Sequence, residues 1–332
     1  MISQPVPIVG FRTPDLERPG PVGWRTNPPR GMLFRTVPPF AEPPMTTSLT
    51  QPNLLHKPLP SEIDVCGLTH RGRVRNENAD HFLIGSFYRA MQVHNSSLPT
   101  NAFSALSADS RGYVFLVADG VGAFAQAANG SARAIRSVAQ YLVDMSEVTM
   151  PSDPDREEEI VSRARAAFGE AHETLLQLDE EGVHGTAVTT LTMLIAIWPR
   201  VFVVHAGDSR AYRLRDGTLT QLTTDQTMAQ AMIESGEMTL DAAEASPLRH
   251  VLVSALGSAQ VDPQVSVHKL ERDDVMLLRT DGLTKHVTDA EIAEHLRRGT
   301  SSESTCQSLI DLALARGGQD NVTVVMGKAR LT

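Results

Sequence analysis

The 332-residue sequence predicts an α+β protein in which sheets pack together and helices lie outside them. Three observations carry this. Between Gly185 and Thr223, segments rich in β-branched residues alternate with tight turns, so the sheet is at least partly antiparallel. Two continuous apolar runs, Val114–Ala118 and Val275–Leu278, read as strands built for full burial, and each is followed within three residues by an Asp-Gly pair. The helical segments are apolar along one face only, as covering layers are.

Taken in order, residues 1–60 are different material from the rest. They hold 14 of the 20 prolines and carry six Lys/Arg against three Asp/Glu. Proline removes backbone donors and disfavours helix, so this stretch is expected to be an extended or disordered extension rather than a packed unit. Its Val37–Pro44 segment, VPPFAEPP, has the composition of an extended ligand for a partner as well as of a plain linker. Residues 61–332 then form the folded domain. After the Val114–Ala118 strand, Ser131–Met145 places Ile135, Val138, Ala139, Leu142 and Val143 on one helical face. Arg156–Leu178 does the same with Ile160, Ala164, Ala167, Phe168, Ala171 and Leu175, and Asp153-Pro154 marks its start. Gly185–Thr223 reads as one meander, turning at Trp198-Pro199-Arg200 and again at Asp216-Gly217. Thr288-Asp289-Ala290-Glu291 is a capping box opening a helix through His295. A last helix, Glu303–Arg316, stops at Gly317-Gly318.

Composition excludes several functions. The formal charge is 30 − 39 = −9, against a duplex nucleic-acid binder, which needs a basic face. Aromatic content of 5% leaves little for a single-strand stacking platform. Two distant cysteines, Cys66 and Cys306, form no disulfide framework and read as small apolar residues in a reducing compartment. No run reaches the roughly 18 apolar residues of a membrane span, and no leader is visible at the N-terminus. A cytoplasmic monomer without membrane or nucleic-acid partners is the expectation.

Acidic residues recur where strands begin or end: Asp119 in VADG, Asp208 in HAGDSR, Asp281 in RTDG, Asp320 in GGQDNVTVV, and Asp80 in NENADHFLI. Singly, each reads as a turn or cap residue. Together they read differently, because carboxylates crowded at one sheet edge repel unless cations neutralise them. An all-oxygen set suits Mg²⁺ or Mn²⁺ and not zinc. Glycine after the aspartate lets backbone approach an ion. His205 sits mid-strand in VFVVHAGD and reads as a packed core histidine; Ser209 lacks the GxSxG surroundings of a serine hydrolase.

In series, GLTHRGRVRNENAD (67–80), VADGVGAFAQAANGS (117–131), GTAVTTL, HAGDSRAYRLRDGTLTQLTTDQ, LVSALGS, LLRTDGLTKHVTDAEI and GGQDNVTVVM resemble the metal-dependent protein serine/threonine phosphatases (the PPM or protein phosphatase 2C family) in their bacterial form, over about Val65–Lys328. The resemblance implies a four-layer α-β-β-α sandwich, two packed antiparallel sheets flanked by helices. It implies hydrolysis of phosphoserine and phosphothreonine on targets of Ser/Thr kinases, by water bridging two Mn²⁺ or Mg²⁺ ions with a weaker third, as part of signal transduction. Asp119 would bridge two ions and the Gly120 carbonyl would bind one of them. Asp281 and Asp320 would hold the second, Asp208 would help with the third, and Asp80 would act through bound water. Arg75 would clamp the phosphate with its bidentate guanidinium, and Asn321 would support the site without being a ligand.

Three positions depart from the family pattern: Ala79 where Glu or Gln is common, Val121 where animal relatives carry His and bacterial ones Met, and Ala123 in place of a glycine. Ala79 keeps open a second reading, a catalytically silent module that binds phosphoproteins. A third keeps the ions but cleaves diesters. Met228–Ser258 resembles the family's flap, with Met232 and Leu240 expected as its apolar anchors, and the Gly85–Gly112 loop is longer than usual.

Overall fold

The computed structural model describes residues 57–87, 91–96, 112–122, 124–149, 157–180 and 187–329. These fall in the second of two units of the chain, Pro52–Thr332. The proline-rich extension lies outside the described residues except for Lys57–Pro60, as do Ala123, the Asp153-Pro154 helix start and residues 97–111 of the long loop.

The strands are β1 (Ile63–His70), β2 (Asp80–Phe87), β3 (Met91–Ser96), β4 (Gly112–Val121), β5 (Val188–Thr189), β6 (Leu191–Ile197), β7 (Arg200–Ala206), β8 (Arg210–Arg215), β9 (Thr218–Gln221), β10 (Gln264–Lys269), β11 (Val275–Arg279) and β12 (Val322–Ala329). The helices are α1 (Phe124–Thr149), α2 (Glu157–Glu180), α3 (Met228–Glu234), α4 (Leu240–Ala245), α5 (Asp281–Thr284), α6 (Asp289–Arg298) and α7 (Ser302–Ala315). One sheet runs β1-β12-β11-β8-β9; the other runs β10-β7-β6-β4-β2-β3, with β5 paired to β4. Every named strand pair is antiparallel.

The unbroken apolar runs are explained by burial on both faces. Alternate residues of β4, Val114, Leu116 and Ala118, pack with Ile135, Val138 and Leu142 of α1 and Phe168 and Leu175 of α2. Their neighbours Phe115 and Val117 point the other way, into a core shared with Phe82, Ile84, Met276, Leu278 and Val325. In β11 the same alternation sends Leu277 outward to Ile292, Leu296, Leu309 and Ile310. Three successive cores make four layers, so the expected α-β-β-α sandwich is the fold.

The structure corrects some local readings. Gly185–Thr223 is not one meander: β5 to β7 belong to the β4 sheet, β8 and β9 to the β11 sheet. The chain changes sheets at Gly207–Ser209, where Gln226 replaces a strand partner: the Gly207 N–H donates to Gln226 Oε1 (2.9 Å) and the Gln226 N–H to the Gly207 carbonyl (2.7 Å). The first helix begins at Phe124, seven residues before Ser131, where the expected segment starts. In the flap Leu240 is 62% exposed and Met232 half-buried, so Leu240 does not anchor it; Ala229 and Ala243 are buried in its helices, and Ala255 and Leu256 at its end. The capping box at Thr288 and Glu291 forms as expected, and α6 runs on to Arg298. His205 is buried with its Nδ1 against Thr192 Oγ1 at 2.9 Å. Cys66 and Cys306 are buried free thiols.

Candidate metal centre

Antiparallel pairing determines where the acidic residues meet. The ends of β1, β4, β7 and β11 and the starts of β2, β6, β8 and β12 all lie at one edge of the sandwich. Asp80 and Asp119 are direct register partners there. Asp208 occupies the crossing between sheets, Asp281 follows β11, and Asp320 precedes β12. Asp119, Gly120, Asp208, Asp281, Asp320 and Arg75 line one cavity of about 320 Å³ together with Val121, Lys285, His250 and Asn321. Asp80 is buried behind it, 2% exposed.

The Asp-Gly pairs now have a reason. A Cβ on Gly282 would stand 1.8 Å from the Asn321 carbonyl oxygen, and one on Gly120 would stand 2.2 Å from that of Ala127. Only glycine permits these approaches, which bring Asp281 beside Asp320 and seat Asp119 against the first turns of α1. Asp281 therefore opens a helical turn, with Thr280 at the N-cap position but its hydroxyl turned to Asp80, rather than a plain loop. Asn321 spends its amide on the loop that carries Arg75: Oδ1 accepts from the Ala79 N–H (2.8 Å), and Nδ2 donates to the carbonyls of Arg71 and Glu77 (2.9 Å each). Ser131 of α1 ties the same segment from the other side, donating to the Ala79 carbonyl at 2.5 Å.

Electrostatics divide the cavity unevenly. Burial raises Asp119 well above the usual carboxylate range, and Asp80, Asp281, Asp208 and Asp320 add repulsion. Burial likewise pushes Asp80 up to about 7, even though the hydroxyls of Thr280 and Thr323 both donate to its Oδ2 at 2.7 Å. Its Oδ1 is buried without a partner. Asp208 is pushed to about 7 by burial and by Asp281, against the opposing charge of Arg279. Asp320 goes the other way: burial works to raise it, but Arg75 and Lys285 outweigh burial and hold it below the usual value. Arg75 grips Asp320 with Nε (2.7 Å) and Nη2 (2.8 Å), and Lys285 Nζ lies 2.7 Å from Asp320 and 2.6 Å from Asp281. Among the described residues, no three His, Cys, Asp or Glu side chains already close round one ion-sized point.

Sequence reading found the cavity's four aspartates, Asp80 behind them, Gly120 and Arg75 but passed over Lys285, His250, Thr280 and Thr323. Lys285 was signalled by its spacing, four residues after Asp281 on a helical turn. The threonines read as ordinary strand residues, and nothing local marks them as donors to a carboxylate 200 or more positions away.

A four-layer sandwich with an acidic cavity at one edge of its two sheets is the class that fold and site define. The family model for protein phosphatase 2C matches residues 93–315. The serine/threonine phosphatase PstP of Mycobacterium tuberculosis is 42% identical over 138 residues, 42% of this chain and 27% of that protein. The crystal structure of the M. tuberculosis phosphatase PstP/Ppp superposes with a TM-score of 0.64 at 28% identity, covering 81% of this chain and 99% of that one. The PstP catalytic domain in complex with two manganese ions gives 0.61 at 28% identity, covering 81% and 99%. The chain belongs to the protein phosphatase 2C family.

Proposed function

We propose that this chain hydrolyses phosphoserine and phosphothreonine on proteins, the products of Ser/Thr kinases, with two divalent cations, Mn²⁺ or Mg²⁺. Asp119, the Gly120 carbonyl, Asp281 and Asp320 would hold the pair, Asp208 a weaker third ion, and Asp80 would act through water. The observation that carries this reading is the carboxylate balance of the cavity. No donor among the described residues reaches the Asp119 carboxylate, and the buried Asp80 Oδ1 has no partner. Oxygens so placed fit hard cations such as Mn²⁺ and Mg²⁺. When bound, the ions would neutralise phosphoryl oxygens and acidify a water at the site.

The chain's own residues supply the rest. Arg75, 44% exposed at the cavity mouth, offers a planar fork that matches phosphate as well as it matches Asp320. The Gly120 backbone is fixed by its N–H to the Ala79 carbonyl (3.2 Å) and by pairing with Thr189, so its carbonyl direction is set before any ion arrives. Val121, 38% exposed beside the cavity, carries no proton for a leaving group. Most of the rate gain would therefore come from charge stabilisation and positioning.

No described helix is long and apolar enough to cross a membrane. A cytoplasmic monomer is part of the same proposal, supported by the two distant cysteines of the sequence, which suit a reducing compartment. The test is hydrolysis of an aryl phosphate and a phosphothreonine peptide with Mn²⁺, then with chelator. Turnover that needs Mn²⁺ and vanishes in Asp281→Asn is the expected result. A folded protein inert toward both substrates would instead mark a silent phosphoprotein-binding relative.

A further inference from the structure

Among the described residues, Arg75 and Lys285, the Arg and Lys side chains that line the cavity, both pair with Asp320. Asp320 accepts from four donors: Arg75 Nε and Nη2, Lys285 Nζ, and the Asn321 N–H at 2.9 Å. Asp281 accepts from Lys285 Nζ. On the opposite side, Asp119 and the Asp80 Oδ1 meet no donor among the described residues. The placement of Lys285 follows from local structure. Asp281 opens a helical turn, the Lys285 N–H donates to the Asp281 carbonyl (3.0 Å), and a side chain four residues on then lies over the one that began the turn. The Gly282–Asn321 approach brings Asp320 to the same ammonium.

We infer that Lys285 is a resident competitor for the second cation: its ammonium occupies the charge-balancing position between Asp281 and Asp320, and a divalent ion must displace it to bind there. The inference rests on the proposed metal centre and makes that centre asymmetric. The Asp119–Gly120 side, where no cation of the described residues makes an ion pair, fills first; the Asp281–Asp320 side fills second and more weakly. A merely structural lysine would behave oppositely, since its loss would spread two like charges and weaken ion binding.

The experiment is calorimetric titration of Mn²⁺ into the metal-stripped full chain and into Lys285→Met, Lys285→Gln and Lys285→Arg, with circular dichroism melting to establish folding. Two steps are expected for the unaltered protein. The weaker should tighten at least tenfold in Lys285→Met and in Lys285→Gln, which guards against a misfolded methionine variant. It should not tighten in Lys285→Arg, where the charge remains. A weaker step that is unchanged or loosened in folded Met and Gln variants overturns the role of Lys285 and leaves the metal centre standing. Absence of Mn²⁺ binding by the unaltered protein at millimolar concentration overturns both.

Discussion

Burial pushes Asp80 and Asp208 each up to about 7, so at pH 7.0 each carries a proton about half the time in the metal-free protein. Carboxylates bind cations only when deprotonated. Loading the cavity with Mn²⁺ at pH 7.0 should therefore release about one proton from this pair, and Asp119, raised by burial and four neighbouring carboxylates, should shift the release in the same direction. At pH 6.0 the pair's share approaches about two, and by pH 8.5 it falls close to zero. The sign is fixed by linkage. Asp80 lies above its ordinary 3.8 in the fold, so the stability associated with its neutral form is complete below pH 3.8 and is lost as pH rises through 7, on the order of 4 kcal/mol. The assay is Mn²⁺ calorimetry at pH 6.0, 7.0 and 8.5 in two buffers of different ionisation enthalpy, repeated on Asp80→Asn, which should remove about half a proton at pH 7.0. Heats independent of buffer at pH 7.0, or a release that grows with pH, would refute the reasoning.

Gly282→Ala forces a methyl against the Asn321 carbonyl, 1.8 Å from its oxygen, and should cost about 1–3 kcal/mol in urea unfolding while weakening Mn²⁺ binding. Asp274 is buried at the β11 start, away from the cavity, where it pairs with Arg215 and accepts the Glu271 N–H at 2.8 Å. Asp274→Ala removes the buried partner of Arg215, which keeps Glu271 and the Lys269 carbonyl, and should lower stability by about 1–3 kcal/mol without changing Mn²⁺ affinity in the folded protein, as unfolding and calorimetry would show. Phe168→Ala empties a fully buried site between α2 and the β4 sheet and should cost about 3–5 kcal/mol with Mn²⁺ affinity kept.

The parts of this fold legible in the sequence are those set by local chemistry. Val114–Ala118 announced a strand buried on both faces, Thr288 and Glu291 a helix start, and Asp216-Gly217 the β8–β9 hairpin. What escaped was set by distant partners. Nothing in GDSR says that the chain leaves one sheet for the other there, because the cause is Gln226, nearly twenty residues on. Leu240 looked like an anchor on hydropathy alone, yet α4 has only six residues and buries Ala243 instead. The aspartates were visible because each sits at a strand boundary beside a small or turn-forming residue. The hydroxyls that hold Asp80 were not, since strand threonines usually signal only β preference.

Those hydroxyls also join the two halves of the centre. Asp80 belongs to the β4 sheet, whereas Thr280 and Thr323 flank or lie on strands of the β11 sheet, so each 2.7 Å hydrogen bond crosses between sheets. The Thr323 N–H donates to Thr280 Oγ1 (3.1 Å) and the Thr280 N–H to the Thr323 carbonyl (3.1 Å), which holds the Thr280 hydroxyl in place, while Thr323 Oγ1 lies 2.7 Å from Thr69 Oγ1. Asp119 on one sheet and Asp281 and Asp320 on the other are therefore spaced by the packing of Phe115 and Val117 against Met276, Leu278 and Val325. An ion held from both sides would reinforce that packing. Its stabilisation, about 2.7 kcal/mol at a hundredfold excess over Kd, should raise the melting temperature of the whole sandwich and not of one edge, because neither sheet can separate without giving up the ligands of the other.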